Sequence, residues 1–218
     1  MNNYILVTHP ELNNVNTSDK KILIGDWCKK FDKDSKDEIL PYHKKNNQEL
    51  NEDIKYLEKF YKTILSKFAN ILNETHSTNY NIRYWEIVIG PYLKTMSHVI
   101  FDRWNLLLKV KNKYDIKETF SKRYVDSNLP FFNTKEALHI IGTNDDWNHI
   151  IFTKIIKDFF NIKVKEIDMS LNLRENDDLL GNKSESEKKK FKQLNYLIPI
   201  FVDEQPDGSH KWPNGQRR

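Results

Sequence analysis

A chain of 218 residues with one cysteine, six glycines and seven prolines is short of the residues from which several common catalytic sites are built. With Cys28 alone no intrachain disulfide can form, which fits a reducing compartment. A thiolate mechanism would rest on that one sulfur, beside which the sequence offers no identified base. The sequence holds no Gly-rich phosphate loop and no G-x-S-x-G nucleophile elbow. No Cys/His or His/Glu spacing suits zinc, and the alternating Asp32 and Asp34 lack the glycine and terminal glutamate of a calcium loop. Neither a metal nor a cofactor is therefore expected. Charge of one sign is also lacking: the net charge is +4, and lysines alternate with acids along most of the chain, so no nucleic-acid partner is expected. The longest apolar region, 84–108, is interrupted by Glu86, Lys94, His98, Asp102 and Arg103, which rules it out as a membrane span. The amino terminus lacks a secretory signal pattern. The cytoplasm, or the inner face of its membrane reached through partners, is the expected location.

What is present is enough for a core: 38% of residues are hydrophobic and 12% aromatic. Tyr4 to Thr8 reads as a buried first strand and Lys21 to Ile24 as a second. The second ends in Gly25-Asp26-Trp27-Cys28, an acid and an indole just past a strand's carboxyl end, where open α/β sheets hold ligands. A glycine turn with Trp27 in the core and Asp26 capping a helix accounts for the same residues equally well. From Gln48 to Asn73 apolar residues recur every three or four positions, the pattern of a helix with one core face and no chemistry. A further helix from near Asn81 to Leu108 is apolar almost all round and is expected to be buried on most sides. Pro91 either kinks it or makes it restart, and a restart would leave free amides beside Gly90 to anchor an anion.

Lys29 to Lys45 reads as a loop and Asp115 to Tyr124 as a mixed segment. Helices are expected from Thr134 and from Trp147 to Phe160, and a short strand from Val164 to Ile167, with His139 and His149 as packed or surface histidines. The domain boundary falls near 170: a helix-rich α/β domain over 1–170, then a polar linker or tail over 171–218. That tail holds a charge run at 185–192 and an apolar segment at Tyr196 to Val202.

Charged residues inside the apolar stretch from His76 to Trp104 are the main functional signal, because each needs a partner or a ligand. Arg83 and Glu86 stand at i, i+3, and His98 and Asp102 at i, i+4. They serve either as internal salt bridges that pin helices, as in a non-catalytic helical interaction domain, or as an anion clamp of Arg83 or Arg103 with His76, His98 or Asp102 in proton transfer.

Three combinations occur in a telling order: Ile-Leu-Ile-Gly-Asp-Trp-Cys, then Arg-Tyr-Trp-Glu-Ile-Val-Ile-Gly-Pro-Tyr, then Phe-Asp-Arg-Trp. Together they resemble the amino-terminal part of a family of transferases from O-antigen and other surface-carbohydrate loci, whose stretches read G-[DE]-W-C, R-Y-W-x-I-x-x-G-P-W and a D-R pair. The likeness is good over residues 4 to 110 and weak beyond. It implies a helix-rich, Rossmann-like half of a two-lobed (GT-B-like) glycosyltransferase, with few short parallel strands and long helices. Such an enzyme moves a sugar from a nucleotide-activated donor onto a glycan acceptor in O-antigen and surface-polysaccharide biosynthesis. Members of the family are considerably longer, so the resemblance makes this chain an acceptor-side portion that lacks the lobe holding most of the donor and is inactive alone. Carried over residue by residue, it singles out Gly25, Asp26, Trp27, Cys28, Arg83, Tyr84, Trp85, Gly90, Pro91, Asp102 and Arg103. Asp26 or His76 is then the expected general base, and Trp27, Arg83, Tyr84, Trp85, Gly90, Asp102 and Arg103 the expected substrate contacts.

Overall fold

A computed structural model describes residues 4–29, 36–41, 46–123 and 134–169, with two short paired strands at Asp203–Glu204 and His210–Lys211. The expectations for 171–202, including the charge run and the apolar Tyr196 to Val202 segment, lie outside the described residues. The chain forms two compact units. One comprises Met1–His43, Arg103–Phe131 and His139–Asn195, and the other Lys44–Asp102, Phe132–Leu138 and Tyr196–Arg218. We call them the sheet unit and the helical unit.

The sheet unit is α/β. Strands β1 (Tyr4–Val7), β2 (Lys20–Leu23), β3 (Glu38–Ile39), β4 (Ile116–Lys122) and β5 (Lys163–Ile167) make one sheet in the order β3-β2-β1-β4-β5, with every pairing parallel. Ile5, Leu6, Val7, Ile22 and Leu23 are buried, as the central strands of a parallel sheet covered on both faces require. Helix α3 (Thr134–Thr143) leads into α4 (Asp145–Phe159). The Asn144 side chain caps α4 by accepting the Trp147 amide, and Ile150, Ile151, Phe152, Ile155 and Ile156 are buried along the helix.

The helical unit is built on α1 (Asn47–His76) and the first part of α2 (Ile82–Lys113), which passes into the sheet unit at Arg103. A capping box between Asn46 and Glu49 starts α1, and Ser77 ends it in the left-handed conformation at φ 52°. Asn73 organises the turn between the two helices. Its Oδ1 accepts from the Thr78 hydroxyl, the Tyr80 amide and the Trp85 indole at 2.9–3.0 Å, and its Nδ2 donates to the Tyr80 carbonyl. Gly90 has a packing reason: a Cβ there would stand 2.6 Å from the Tyr61 hydroxyl.

Four expectations need correction. The segment read as mixed, Asp115 to Tyr124, contains the interior strand β4, and the presumed loop 29–45 contains β3. The polar letters of β4 hid it, because Glu118, Thr119, Ser121 and Lys122 are all buried. Helix α2 does not restart at Pro91 but runs through it, so no helix end faces Gly90. Nor is α2 buried on most sides: Trp85, Leu93 and Met96 are buried, whereas Ile82, Tyr84, Ile87 and Val88 are exposed.

Asn73→Ala removes the side-chain acceptor shared by Thr78, Tyr80 and Trp85 and takes from the Trp85 indole N–H its partner. The expected loss is about 1–3 kcal/mol in urea unfolding, and Asn73→Asp, which keeps the acceptors, should recover part of it.

Candidate functional site

In the order β3-β2-β1-β4-β5 the chain builds outward from β1 on one side and then returns to place β4 on the other. The carboxyl ends of β1 and β4 therefore flank a topological switch point, where open α/β sheets leave a crevice. What the sequence puts there is Thr8-His9-Pro10-Glu11 after β1, Lys122 at the end of β4, and Asp146 and His149 on the first turns of α4.

These side chains form one buried network. The Lys122 ammonium, 1% exposed, donates to Asp146 Oδ1 at 2.7 Å and to Glu11 Oε2 at 2.6 Å. Asp146 Oδ1 also meets His9 Nε2 at 3.1 Å. On its other side His9 Nδ1 accepts the Glu11 amide at 3.2 Å, closing the start of the 3-10 turn Pro10–Asn14. An accepting Nδ1 carries no proton, so the partners assign His9 the neutral form protonated at Nε2.

His149 shows the reverse arrangement. Strand β1 ends at Val7 while β4 continues to Lys122, and His149 Nε2 accepts the Lys122 backbone amide at 3.2 Å where the longer strand stops. Its Nδ1 then holds the proton and lies 2.7 Å from the Thr8 hydroxyl. Complete burial, which penalises the charged ring, pushes the His149 pKa down to about 3. The two imidazole rings sit 5.6 Å apart, edge to face.

One ammonium is thus set against two carboxylates, with both histidines neutral. The start of α4 favours acids through its dipole, which explains the tolerance for Asp146 in so buried a place. A network of this kind is costly to desolvate, so its presence calls for a reason beyond stability. Glu11 is the member that reaches solvent, its side chain 42% exposed. Chemically, the arrangement offers a solvent-facing carboxylate held in one direction by a buried lysine. Among the described residues no group of three or more His, Cys, Asp and Glu side chains could hold a metal ion.

The residues singled out from the sequence are distributed differently. Asp26 is exposed and Trp27 half-buried in a 3-10 turn, Asp26–Lys29, just beyond β2. The Trp27 ring folds back over Gly25 so closely that a Cβ there would collide with it, which is the physical sense of the Gly-Asp-Trp sequence. Cys28 is buried, and burial pushes its thiol up to about 12, which leaves it no nucleophilic thiolate. His76, Arg83, Tyr84, Trp85, Gly90 and Asp102 lie in the helical unit. No single unit gathers the whole set.

Arg83 does pair with Glu86 at 2.7 Å, but on the surface, with the Arg83 side chain 72% exposed. A pair so placed contributes little to stability, and this weakens the reading in which it pins helices. His76 is exposed and stacks near Trp85. Arg103, in the sheet unit, donates from Nε and Nη2 to Asn148 Oδ1 and lies over the Phe152 ring at 5.4 Å.

Sequence reasoning missed Glu11, Lys122, Asp146 and the part played by His9 and His149. A usable signal was there. Two strands followed by two long helices require a returning strand, and 115–124 is the segment placed to supply it.

His149 gives a pH dependence whose sign is fixed. Its folded pKa lies below the ordinary value, so below pH ~6.5 the unfolded chain takes up a proton that the folded chain refuses. Stability is present in full above that pH and falls, by roughly 1.4 kcal/mol per unit at most, as pH drops toward 3. Unfolding free energies between pH 7 and 4 should show this slope in the native protein and a shallower one in His149→Gln. Lys122→Met removes the ammonium that pairs with buried Asp146 and is expected to cost about 3–5 kcal/mol by the same measurement.

Comparison with known proteins agrees with an enzyme. The profile of the family described as LIC12162 family transferase matches residues 4–206, well past the stretch where the sequence motifs were clearest. No curated protein and no solved structure matches the chain. A match over nearly the whole of the chain is decisive for membership: this protein belongs to the LIC12162 family of transferases.

Proposed function

We propose that the chain is the acceptor-side, Rossmann-like half of a two-lobed, GT-B-like sugar transferase of surface-polysaccharide or O-antigen biosynthesis. It works in the cytoplasm at the inner face of the membrane, and its nucleotide-sugar donor is held mainly by a lobe outside this chain. The observation that carries the reading is the solvent-facing Glu11 carboxylate at the β1/β4 switch point, steered by buried Lys122. With two carboxylates against one ammonium the crevice repels the phosphates of a donor and suits a neutral hydroxyl. That is the polarity expected of an acceptor site.

In the reaction so read, an acceptor hydroxyl donates its hydrogen bond to Glu11. As its oxygen forms the new bond to the anomeric carbon, the proton passes to Glu11, and the bond to the nucleotide phosphate breaks with its electron pair leaving on the phosphate. Lys122, held from behind by Asp146, which His9 also meets, fixes the direction of the carboxylate. Asp26, exposed past β2, is the second candidate for the same proton, ahead of His76. Trp27 in the sheet unit and, separately, the exposed Arg83 and Tyr84 in the helical unit are proposed as further substrate contacts, each within its own unit. Trp85, Gly90 and Asp102 in the helical unit, and Arg103 in the sheet unit, are proposed to support the substrate contacts of their own unit.

The test is nucleotide release from a panel of nucleotide-sugars, with glycan acceptors present, in an enzyme of this family that carries these residues. Glu11→Gln there should lower turnover by about 10²–10⁴-fold with the melting temperature unchanged. Native turnover in that variant would refute the assignment, and loss only in Asp26→Asn would transfer the role to Asp26.

A further inference from the structure

Among the described residues, nine large apolar side chains are exposed, and six of them, Ile71, Tyr80, Ile82, Tyr84, Ile87 and Val88, cluster at the α1–α2 turn of the helical unit. Buried elsewhere, residues of this kind would be core. Here Ile87 is 65% exposed and Val88 50% exposed. A patch of this sort on a folded protein marks a contact surface.

Its pattern points to one kind of contact. Along α2 the exposed positions Tyr84, Ile87, Val88, Pro91, Lys94 and His98 follow the helical spacing of a single stripe, apolar for its first two turns, with the Lys94 cation after them and His98 held toward its neutral form by partial burial and by Lys94. Arg83 stands beside the apolar part and is paired with Glu86; the stripe itself carries no carboxylate, and Glu74 is exposed in the last turn of α1. Tyr80 and Tyr84 stack at 4.1 Å. Paired tyrosines with apolar bodies and polar tips, an aliphatic face and cations at its margin are the components of a helix that lies in a bilayer interface, where the cations meet anionic headgroups. No described helix is long and apolar enough to cross a membrane, so the contact is one of surface and not of span.

We infer that the amino-terminal turns of α2, with the α1–α2 turn, form a docking surface for an anionic lipid bilayer. The inference rests on the proposed work at a membrane face and names the surface that achieves it. Immersion of Ile82, Ile87 and Val88 in the acyl boundary and pairing of Lys94 with lipid phosphate would hold the helical unit against the membrane.

Co-sedimentation with vesicles of phosphatidylethanolamine and phosphatidylglycerol tests it, with phosphatidylcholine vesicles as the uncharged comparison. The native chain should bind the anionic vesicles, and raised salt should weaken the binding. Ile87→Ser/Val88→Ser should lower the bound fraction about tenfold or more, and Lys94→Glu should lower it on anionic vesicles only. Both changes lie on exposed positions, so circular dichroism and melting temperature should not move. Absence of vesicle binding by the native chain overturns the inference, as does equal binding by the double variant. Concentration-dependent dimerisation that the double variant abolishes, without vesicle binding, would assign the face to a second copy and overturn it too. Transfer to a water-soluble acceptor is read separately, so failure here leaves the Glu11 assignment standing, and failure there leaves the bilayer contact standing.

Discussion

The Lys122 ammonium, buried at the end of β4 and shared between Asp146 and Glu11, is the constraint to which the rest of the sheet unit answers. A buried cation needs anions at hydrogen-bond distance, and to the end of β4, where the lysine sits, those anions come from two places in the chain: the turn after β1 and the start of α4. Meeting that need fixes where α4 begins relative to the strands. Asn144 caps the helix two residues before Asp146, and His149, about one turn beyond Asp146, accepts the amide that β4 would otherwise leave open. The polar network therefore specifies register and helix placement, while the surrounding isoleucines, leucines and phenylalanines supply the hydrophobic stabilisation.

The same constraint shapes what the site can do. His9 and His149 each use both ring nitrogens inside the protein, in opposite tautomers, so neither is spare for substrate in this arrangement. Their role is to position others. Functional freedom is left to Glu11, the one member of the network whose side chain extends toward solvent. A transferase that had to move a proton from a neutral hydroxyl would benefit from such an arrangement, because orientation is supplied in advance by buried partners.

What the sequence made legible follows from how each element is stabilised. Strands β1, β2 and β5 and the helices α1 and α4 showed apolar runs or periodicity, and the structure has them within a few residues of the expected bounds. Strand β4 was not legible, since Glu118 pairs with Lys165, Thr119 bonds the Leu6 carbonyl and Lys122 serves the site. A strand whose buried side chains are satisfied by polar partners has no hydrophobic pattern to read. The site was missed for the same reason, as its lysine sits in that strand and its acids lie about 110 and 24 residues away in sequence. The opposite error occurred in α2. Its apolar letters suggested burial, but the exposed side chains of its first turns face away from the helix pair.

The central claim is that the β1/β4 switch point receives the acceptor hydroxyl. A crystal structure of the protein with a glycan acceptor bound tests it most directly. An acceptor hydroxyl is expected within about 2.6–3.2 Å of the Glu11 carboxylate, with the Lys122 contacts to Glu11 and Asp146 intact. An acceptor bound with its hydroxyl on Asp26 or His76, and Glu11 left facing solvent, would contradict it.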